Sequence, residues 1–153
     1  MHLINKMKFN EIQGDLFRAD TSLAHCISRD LKLGAGIALQ FRNRELVNFE
    51  ELKDQNKQVG QVALNIMSLS LIDDDDKYVF HLITKDKYYY KPTYESMKSC
   101  LKELRDKLIS LNIKEISMPR IGCGLDKMEW HIVKNMIMTI FKETDIEIDI
   151  YYL

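Results

Sequence analysis

The sequence predicts an α/β fold in which parallel strands are joined by crossover helices. In strand-like segments, apolar residues occur at every second position or in short unbroken runs. In helix-like segments they recur at every third and fourth position, and the two kinds of segment alternate along the chain. The length, 153 residues, is that of one domain, and a chain with only 2 prolines and no Gly/Ser-rich linker shows no boundary. We therefore expect a single domain over residues 1–153.

Four segments have the pattern of strands. Three of them are nearly continuously apolar, which is typical of strands covered on both faces; they span residues 23–27, 62–69 and 78–84. The fourth, residues 146–151, alternates strictly between apolar and polar residues and predicts a strand with one wet face. Further strands are expected directly before the loops at Gln13 and near Ser117.

Four consecutive aspartates, residues 73–76, separate the second apolar run from the third. Such a run is too charged to bury, so we interpret it as a solvated hairpin tip. A metal site is the disfavoured alternative, because four adjacent carboxylates without a glycine do not make a calcium loop.

Three segments have helical periodicity. It is clearest over residues 92–111, where Pro92 suits a first-turn position and charged residues fill the face opposite the apolar stripe. Residues 127–144 form a second segment of this kind. Residues 36–57 form a third, less regular one that we expect to break near Asn43.

Composition excludes several classes of function. With 22 basic and 23 acidic residues, a formal net charge of -1 and no basic block, generic nucleic-acid binding is not expected. The 3 cysteines form no C-x-x-C pair, which argues against a disulfide framework or a zinc site and fits a reducing cytoplasm. No segment approaches the ~18 unbroken apolar residues of a membrane span. We expect a cytoplasmic protein without a membrane partner, and a monomer.

Ligands of open α/β sheets bind beyond the carboxyl ends of the strands, so the segments that follow the strands are the candidate site. After the first strand, Gly14 permits a tight turn and Asp15 could accept hydrogen bonds from an amine or from backbone donors. On this segment alone an ordinary Gly-Asp turn is the better interpretation. After the second strand, Gly34, Ala35 and Gly36 form a small-residue loop without the spacing of a dinucleotide or P-loop motif.

Residues 117–126 are the most informative segment. A strand ends here, Gly122 and Gly124 flank Cys123, and a helix is expected to open directly afterwards. Glycines let the backbone approach a phosphate and free N–H groups at a helix start would donate to it, so a pyrophosphate cradle is one interpretation. An ordinary strand-to-helix turn with Asp126 as its N-cap is the other, and the segment alone does not decide between them.

Lys85 lies at the exit of a strand that is expected to be buried. Partial desolvation there would favour the neutral amine and make it a usable nucleophile. Most lysines in such places are merely solvated, and on its own Lys85 is better interpreted in that way.

Six motifs together resemble, in order and spacing, those of a macrodomain, and the terminal ADP-ribose protein glycohydrolases are the branch most similar. The motifs are Gly14-Asp15-Leu16-Phe17, Ser22-Leu23-Ala24-His25-Cys26-Ile27-Ser28, Gly34-Ala35-Gly36-Ile37-Ala38, Leu82-Ile83-Thr84-Lys85, Lys91-Pro92-Thr93-Tyr94-Glu95 and Met118-Pro119-Arg120-Ile121-Gly122-Cys123-Gly124-Leu125-Asp126. The match runs from about Phe9 to Leu153. Six motifs in sequence are far more specific than any one of them.

The resemblance implies a macrodomain-like three-layer sandwich, in which a mixed sheet of about six strands lies between helices and ADP-ribose lies across the strand ends. It implies that Asp15 contacts the adenine amino group, that Lys85 supplies the nucleophilic amine, and that Asp126 is the acid/base partner of Lys85. The two glycine-containing loops would hold the distal ribose and the pyrophosphate. The further ligand-binding residues that it implies are Leu16, Ser28, Gly34, Ala35, Gly36, Ile37, Pro119, Arg120, Ile121, Gly122, Cys123, Gly124 and Leu125.

The implied function is removal of mono-ADP-ribose from glutamate and aspartate side chains and deacylation of O-acyl-ADP-ribose, because both substrates are esters of one sugar. Lys85 would displace the carboxylate and form a lysyl-ADP-ribose intermediate, which Asp126 would help to release. The partners are then ADP-ribose and mono-ADP-ribosylated proteins, with no cofactor and no metal. The alternatives are a reader module that binds ADP-ribose without turnover and a hydrolase acting on ADP-ribosylated nucleic-acid bases.

Three consecutive tyrosines, residues 88–90, bring more aromatic character after Lys85 than the family leads us to expect. We interpret them as core or rim rather than as a base-stacking platform. Cys123 is interpreted as a small packing residue and not as a nucleophile, because no histidine is tied to it by local sequence. His25 and His81 lie in apolar strands and are interpreted as structural.

Overall fold

The computed structural model describes residues 6–68 and 76–153. Over these residues the chain forms six strands, four helices and a 3-10 turn, Leu16–Arg18. The strands are β1 (Lys8–Gln13), β2 (Ser22–Ser28), β3 (Val62–Ser68), β4 (Lys77–Lys85), β5 (Glu115–Pro119) and β6 (Glu147–Tyr152). The helices are α1 (Gly36–Asn43), α2 (Phe49–Gln55), α3 (Tyr94–Ser110) and α4 (Trp130–Phe141). Of the predicted hairpin tip only Asp76 lies among the described residues, directly before β4.

The strands form one mixed sheet in the order β1-β6-β5-β2-β4-β3. All neighbouring pairs are parallel except β3 and β4, which run antiparallel. The predicted α/β fold with a mixed six-stranded sheet is therefore confirmed. Because β1, β2, β4, β5 and β6 share one direction, their carboxyl ends lie along the same edge, where ligands of such sheets bind.

Both faces of the central strands are covered by helices. In β2, Ala24 packs into the core formed with α3 and α4, whereas Leu23 and Ile27 pack into the cores formed with α1 and α2. Side chains that alternate between two buried faces produce an unbroken apolar run, which is the pattern that predicted this strand. The helices thus form an outer layer on each side of the sheet, as the three-layer prediction requires.

The helix predicted over residues 36–57 is two helices. α1 ends at Asn43, and Glu45 then takes a left-handed conformation with φ of 59°. Asn48 starts α2, because its side-chain oxygen accepts a hydrogen bond from the backbone N–H of Glu51 at 3.1 Å. The break expected near Asn43 is confirmed.

α3 carries the predicted apolar stripe, but its start differs from the prediction. Thr93 is the N-cap, and its hydroxyl accepts a hydrogen bond from the N–H of Ser96 at 3.0 Å. Pro92 therefore precedes the cap instead of occupying the first turn. Among the described residues, no helix combines the length and apolar character needed to cross a bilayer.

α4 begins three residues later than predicted. Its first residue is Trp130 and Glu129 holds the N-cap position. Lys127 has a left-handed φ of 58°, which keeps the chain out of the helix at this point. The interpretation of Asp126 as the N-cap of this helix is therefore wrong, and its carboxylate is available for another contact.

His25 and His81 are fully buried neighbours on β2 and β4. Asn65 Nδ2 donates to the Leu46 carbonyl, so Asn65 Oδ1 is an acceptor, and His81 Nε2 donates to it at 2.6 Å. His81 Nδ1 in turn accepts from His25 Nε2 at 2.7 Å. Burial lowers the pKa of both imidazoles, that of His81 to about 3, so both are neutral, as suits the structural role predicted for them.

Candidate active site

A cleft lies at the edge of the sheet where the parallel strands end. Its large lobe has a volume of about 930 Å³, and a small lobe of about 650 Å³ adjoins it. Ile37, Pro119, Arg120 and Gly124 line both lobes, so the two form one continuous cleft. An elongated ligand with several linked groups fits such a space better than a single compact one.

Every residue that the sequence assigned to the site lines this cleft. The large lobe is lined by Ser28, Gly34, Ala35, Gly36, Ile37, Lys85, Pro119, Arg120, Ile121, Gly122, Gly124, Leu125 and Asp126. The small lobe is lined by Asp15, Leu16 and Cys123, together with the shared residues. The assigned amine and carboxylate thus lie in one lobe, and the assigned adenine contact lies in the other.

Lys85 and Asp126 form an ion pair in the wall of the large lobe. Lys85 is the last residue of β4 and Asp126 lies in the loop after β5; Nζ donates to Oδ1 at 2.7 Å. The two side chains are only 15% and 16% exposed. An amine and a carboxylate in contact at a partly desolvated site can exchange a proton directly, which is what a nucleophile with an adjacent base requires.

The loop between β5 and α4 is shaped around Gly122. This residue has φ of 75°, and a Cβ there would lie 2.5 Å from Met128 Sδ and 2.9 Å from Met97 Cε. Its carbonyl accepts the N–H of Met128 at 2.8 Å, which folds the loop back on itself. Lys91 Nζ donates to the Leu125 carbonyl at 2.9 Å and ties the loop to the start of α3. The position of Asp126 follows from this compact loop.

α1 begins at the cleft, because the small-residue loop opens directly into it. Gly36 has φ of 58°, and no side chain caps the helix at Ala35, so the first-turn N–H groups are available to an anion. A Cβ on Gly36 would lie 3.3 Å from Leu125 Cδ1, so this loop and the loop after β5 approach each other. The sequence predicted that a helix begins directly after the loop that contains Gly124. In the structure, the helix that begins at the large lobe is α1.

Asp15 is both a turn residue and part of the cleft. Its Oδ1 accepts the N–H of Phe17 at 3.0 Å and so caps the 3-10 turn after β1. The turn interpretation of this segment is correct as local structure. Asp15 also lines the small lobe, so its place in the turn is compatible with the ligand contact assigned to it.

A family model described as the Macro domain matches residues 22–137 of this chain. The chain belongs to the macrodomain family. The match covers both the segment around Lys85 and the loop that carries Asp126, so the resemblance seen in the motifs is confirmed.

Relatives of this macrodomain include the human protein "ADP-ribose glycohydrolase OARD1", which is 40% identical over 144 residues, covering 93% of this chain and 90% of the relative. Among solved structures, the macrodomain of Mycobacterium tuberculosis DarG superposes with a TM-score of 0.83 at 25% identity, over 95% of this chain and 97% of that one. Thermosipho africanus DarTG, solved in complex with ADP-ribose, has the same fold, with a TM-score of 0.77 at 21% identity over 93% of this chain and 41% of that one.

Several residues in the cleft of this macrodomain were missed by sequence reasoning. Tyr152 ends β6 in the small lobe, and the Arg120 guanidinium lies 4.4 Å from the centroid of its ring. Trp130 lines the same lobe, with Arg120 5.8 Å from its centroid. The position of Tyr152 at a strand end is the one signal that could have identified it, because the carboxyl ends of parallel strands meet at the ligand edge.

Glu11 on β1 connects these side chains. It accepts hydrogen bonds from Trp130 Nε1 at 2.8 Å and from Lys134 Nζ at 2.9 Å, and Arg120 lies 3.9 Å away. The hydrogen bonds from Lys134 and Trp130 hold the pKa of Glu11 below its ordinary value. Arg120 and Trp130, which line the small lobe, are therefore joined to a charged network that links β1 to α4.

Residues 88–90 form part of the rim of the large lobe. Tyr88, Tyr89 and Tyr90 are 58%, 66% and 48% exposed, so they are not core residues. Cys123 is half-buried, and burial raises the pKa of its thiol, which argues against a nucleophilic thiolate. Within residues 6–68 and 76–153 there is no group of three His, Cys, Asp or Glu residues arranged to hold a metal ion.

Proposed function

We propose that this macrodomain removes mono-ADP-ribose from glutamate and aspartate side chains and also deacylates O-acyl-ADP-ribose. The observation that carries the proposal is the Lys85–Asp126 pair, with Nζ and Oδ1 2.7 Å apart in the wall of the cleft. The 40% identity to a human ADP-ribose glycohydrolase, over 93% of this chain, supports hydrolysis in preference to binding alone.

ADP-ribose would occupy both lobes of the cleft. The adenine lies in the small lobe, where the Asp15 carboxylate accepts a hydrogen bond from its amino group. The pyrophosphate lies between the loops that approach each other at Gly36 and Leu125, within reach of the first-turn N–H groups of α1. The distal ribose then extends into the large lobe, with its anomeric carbon beside Lys85.

The first step forms a covalent intermediate. A proton passes from the Lys85 ammonium to Asp126, and the neutral amine attacks the anomeric carbon of the distal ribose. A C–N bond forms while the C–O bond to the substrate's carboxylate breaks, and the bonding electron pair leaves with that carboxylate. Because a carboxylate is a stable leaving group, this step needs no strong general acid. The proton on Asp126 is lost to solvent as the acid departs.

The second step releases ADP-ribose. The Asp126 carboxylate takes a proton from a water molecule, and the water oxygen attacks the anomeric carbon. The C–N bond breaks with its electron pair returning to nitrogen, and the proton on Asp126 passes back to the Lys85 amine. The pair is then restored to its starting state. An O-acyl-ADP-ribose esterified at the anomeric carbon would follow the same two steps.

The test is incubation with a glutamate-mono-ADP-ribosylated protein while free ADP-ribose is measured. The wild-type protein should release ADP-ribose. Lys85→Ala should lower the rate by orders of magnitude, while calorimetry shows that ADP-ribose still binds, because the loops and Asp15 are unchanged. Lys98→Ala, on the exposed face of α3, is the matched control and should keep the wild-type rate.

Two results would contradict the proposal in different ways. A wild-type protein that binds ADP-ribose and releases none would be a reader module. Near-full hydrolysis by Lys85→Ala would leave the hydrolase but exclude the lysyl intermediate, and a water molecule would then attack directly.

A further inference from the structure

The three tyrosines of the rim take no part in the proposed chemistry. They line the same lobe as Lys85 and Asp126, and among the described residues they do not line the small lobe. The three tyrosines therefore do not face the proposed adenine end of the ligand. Exposed aromatic side chains clustered beside an active site mark a surface with a binding partner. In the proposed complex, the part of the substrate nearest to the tyrosines would be the leaving group, which is the side chain attached to the anomeric carbon.

The tyrosine segment is held in place by the loops around it. Asp30 Oδ2 accepts the N–H of Tyr88 at 3.0 Å, and the N–H of Tyr90 donates to the Lys87 carbonyl at 3.0 Å. Arg29 and Asp86 form an ion pair at the base of the same segment. A surface ordered before binding loses less entropy when a partner docks on it.

The charge of the large lobe favours an anionic partner. Its described lining contains four cations besides Lys85, namely Lys32, Arg42, Lys91 and Arg120, and Asp126 is the only acidic residue in that lining. Asp126 pairs with Lys85. Arg120 also has the Glu11 carboxylate 3.9 Å away, which leaves three cations, Lys32, Arg42 and Lys91. They exceed the two charges of a pyrophosphate, although the whole chain has a net charge of -1. The excess positive charge is therefore local to the site.

The arrangement of the rings favours a peptide over a single-stranded nucleic acid. The centroids of Tyr88 and Tyr89 are 5.2 Å apart and those of Tyr89 and Tyr90 are 5.0 Å apart, and both pairs of rings meet at 83°. Perpendicular neighbours do not present a row of parallel faces on which successive bases could stack. Their phenolic hydroxyls, by contrast, are donors suited to carboxylates.

We propose that Tyr88, Tyr89, Tyr90 and Lys32 form a subsite for the leaving group, and that this subsite binds an acidic polypeptide segment around the modified side chain. The inference rests on the proposed function. It means that the enzyme selects modified glutamates that have further aspartates or glutamates beside them, and that the selection acts on substrate binding rather than on the chemical step.

The test compares kcat/KM for two ADP-ribosylated glutamate peptides of equal length, one with acidic and one with Ser/Gly flanks. O-acetyl-ADP-ribose and a single-stranded oligonucleotide with an ADP-ribosylated base are measured alongside. The wild-type protein should prefer the acidic peptide by about fivefold, mainly through KM. Replacing all three tyrosines with serine should abolish this preference, and Lys32→Gln should reduce it. Ile109→Ser, which removes an apolar side chain that is 57% exposed on α3, is the matched control and should keep the preference.

The outcomes separate the inference from the proposed function. If the wild-type protein shows no preference, or if both rim variants retain it, the inference is wrong while the hydrolase stands. If the triple tyrosine variant loses activity on the oligonucleotide rather than on the acidic peptide, the subsite binds nucleic acid and the inference is again wrong. If no substrate is hydrolysed by the wild-type protein, the proposed function fails and the inference fails with it. Turnover of O-acetyl-ADP-ribose shows whether the tyrosine variant is folded, and Lys32→Gln provides the test if it is not.

Discussion

Asp126 can be tested apart from Lys85, because the structure shows that it does not cap α4. In Asp126→Ala, solvent must take the Lys85 proton, which slows formation of the intermediate, and no carboxylate activates the water that releases it. Release should be impaired more than formation, so ADP-ribose attached to Lys85 should accumulate and appear as added mass in intact-protein spectra. The fold should be retained, since α4 begins at Trp130 without a contribution from this side chain.

The control for the adduct is the double variant Lys85→Ala/Asp126→Ala, which has no nucleophile and should show no added mass. An Asp126→Ala protein that turns over at the wild-type rate would show that another group activates the water.

Asp15 contributes to the local fold and to the candidate site, and two substitutions separate the contributions. Asp15→Asn keeps an oxygen that can cap the turn through Phe17 but removes the charge. It should weaken ADP-ribose binding by about 1–3 kcal/mol, because the adenine amino group loses its charged acceptor. The affinity is measured by calorimetry.

Asp15→Ala removes the cap as well, so its unfolding temperature should fall below that of Asp15→Asn. An affinity for ADP-ribose that is unchanged in both variants would mean that Asp15 is only a turn residue.

At the scale of elements, the loop between β5 and α4 depends on Gly122. Gly122→Ala should lower the free energy of unfolding by about 1–3 kcal/mol, because alanine at a left-handed φ is strained and its Cβ would collide with Met128. Gly124→Ala is the matched control. It has no left-handed φ and nothing within 4 Å of a Cβ, so the change in stability should be small. Chemical denaturation measures both, and equal losses would show that the conformation of Gly122 is not the cause.

At the scale of the whole molecule, the His25–His81 pair links stability to pH. Both imidazoles have a lowered pKa in the folded state, so below about pH 6.5 the unfolded chain binds protons that the folded chain does not. Stability should be complete above that pH and should fall as the pH falls, by up to about 1.4 kcal/mol per pH unit for each histidine.

The unfolding midpoint should therefore be lower at pH 5 than at pH 7.5. His131→Gln, at a side chain that is 74% exposed, should leave this dependence intact. A midpoint that does not fall between these two pH values would contradict the neutral, buried pair.

The secondary structure was largely predictable because its signals are local. The runs over residues 23–27 and 78–84 are apolar because both of their faces are buried, and the break after Asn43 falls at the exposed polar residues Arg44 and Glu45. Helix starts were less predictable. The start of α4 depends on the left-handed conformation of Lys127, which the folded loop imposes and residue types alone do not reveal.

The sequence by itself determined the α/β class, the order of strands and helices, and the segments that lie at the ligand edge of the sheet. It could do so because periodicity and glycine spacing are properties of short stretches of sequence. The resemblance implied that Lys85 and Asp126 are partners, and the tertiary structure showed their direct contact. Only the tertiary structure decided that Glu11 holds Trp130 and that the tyrosines line the same lobe as the ion pair. The sheet order β1-β6-β5-β2-β4-β3 pairs the first strand with the last, so contacts across it join residues far apart in the chain. Such contacts leave no periodic signal, because they depend on the packing of the whole sheet.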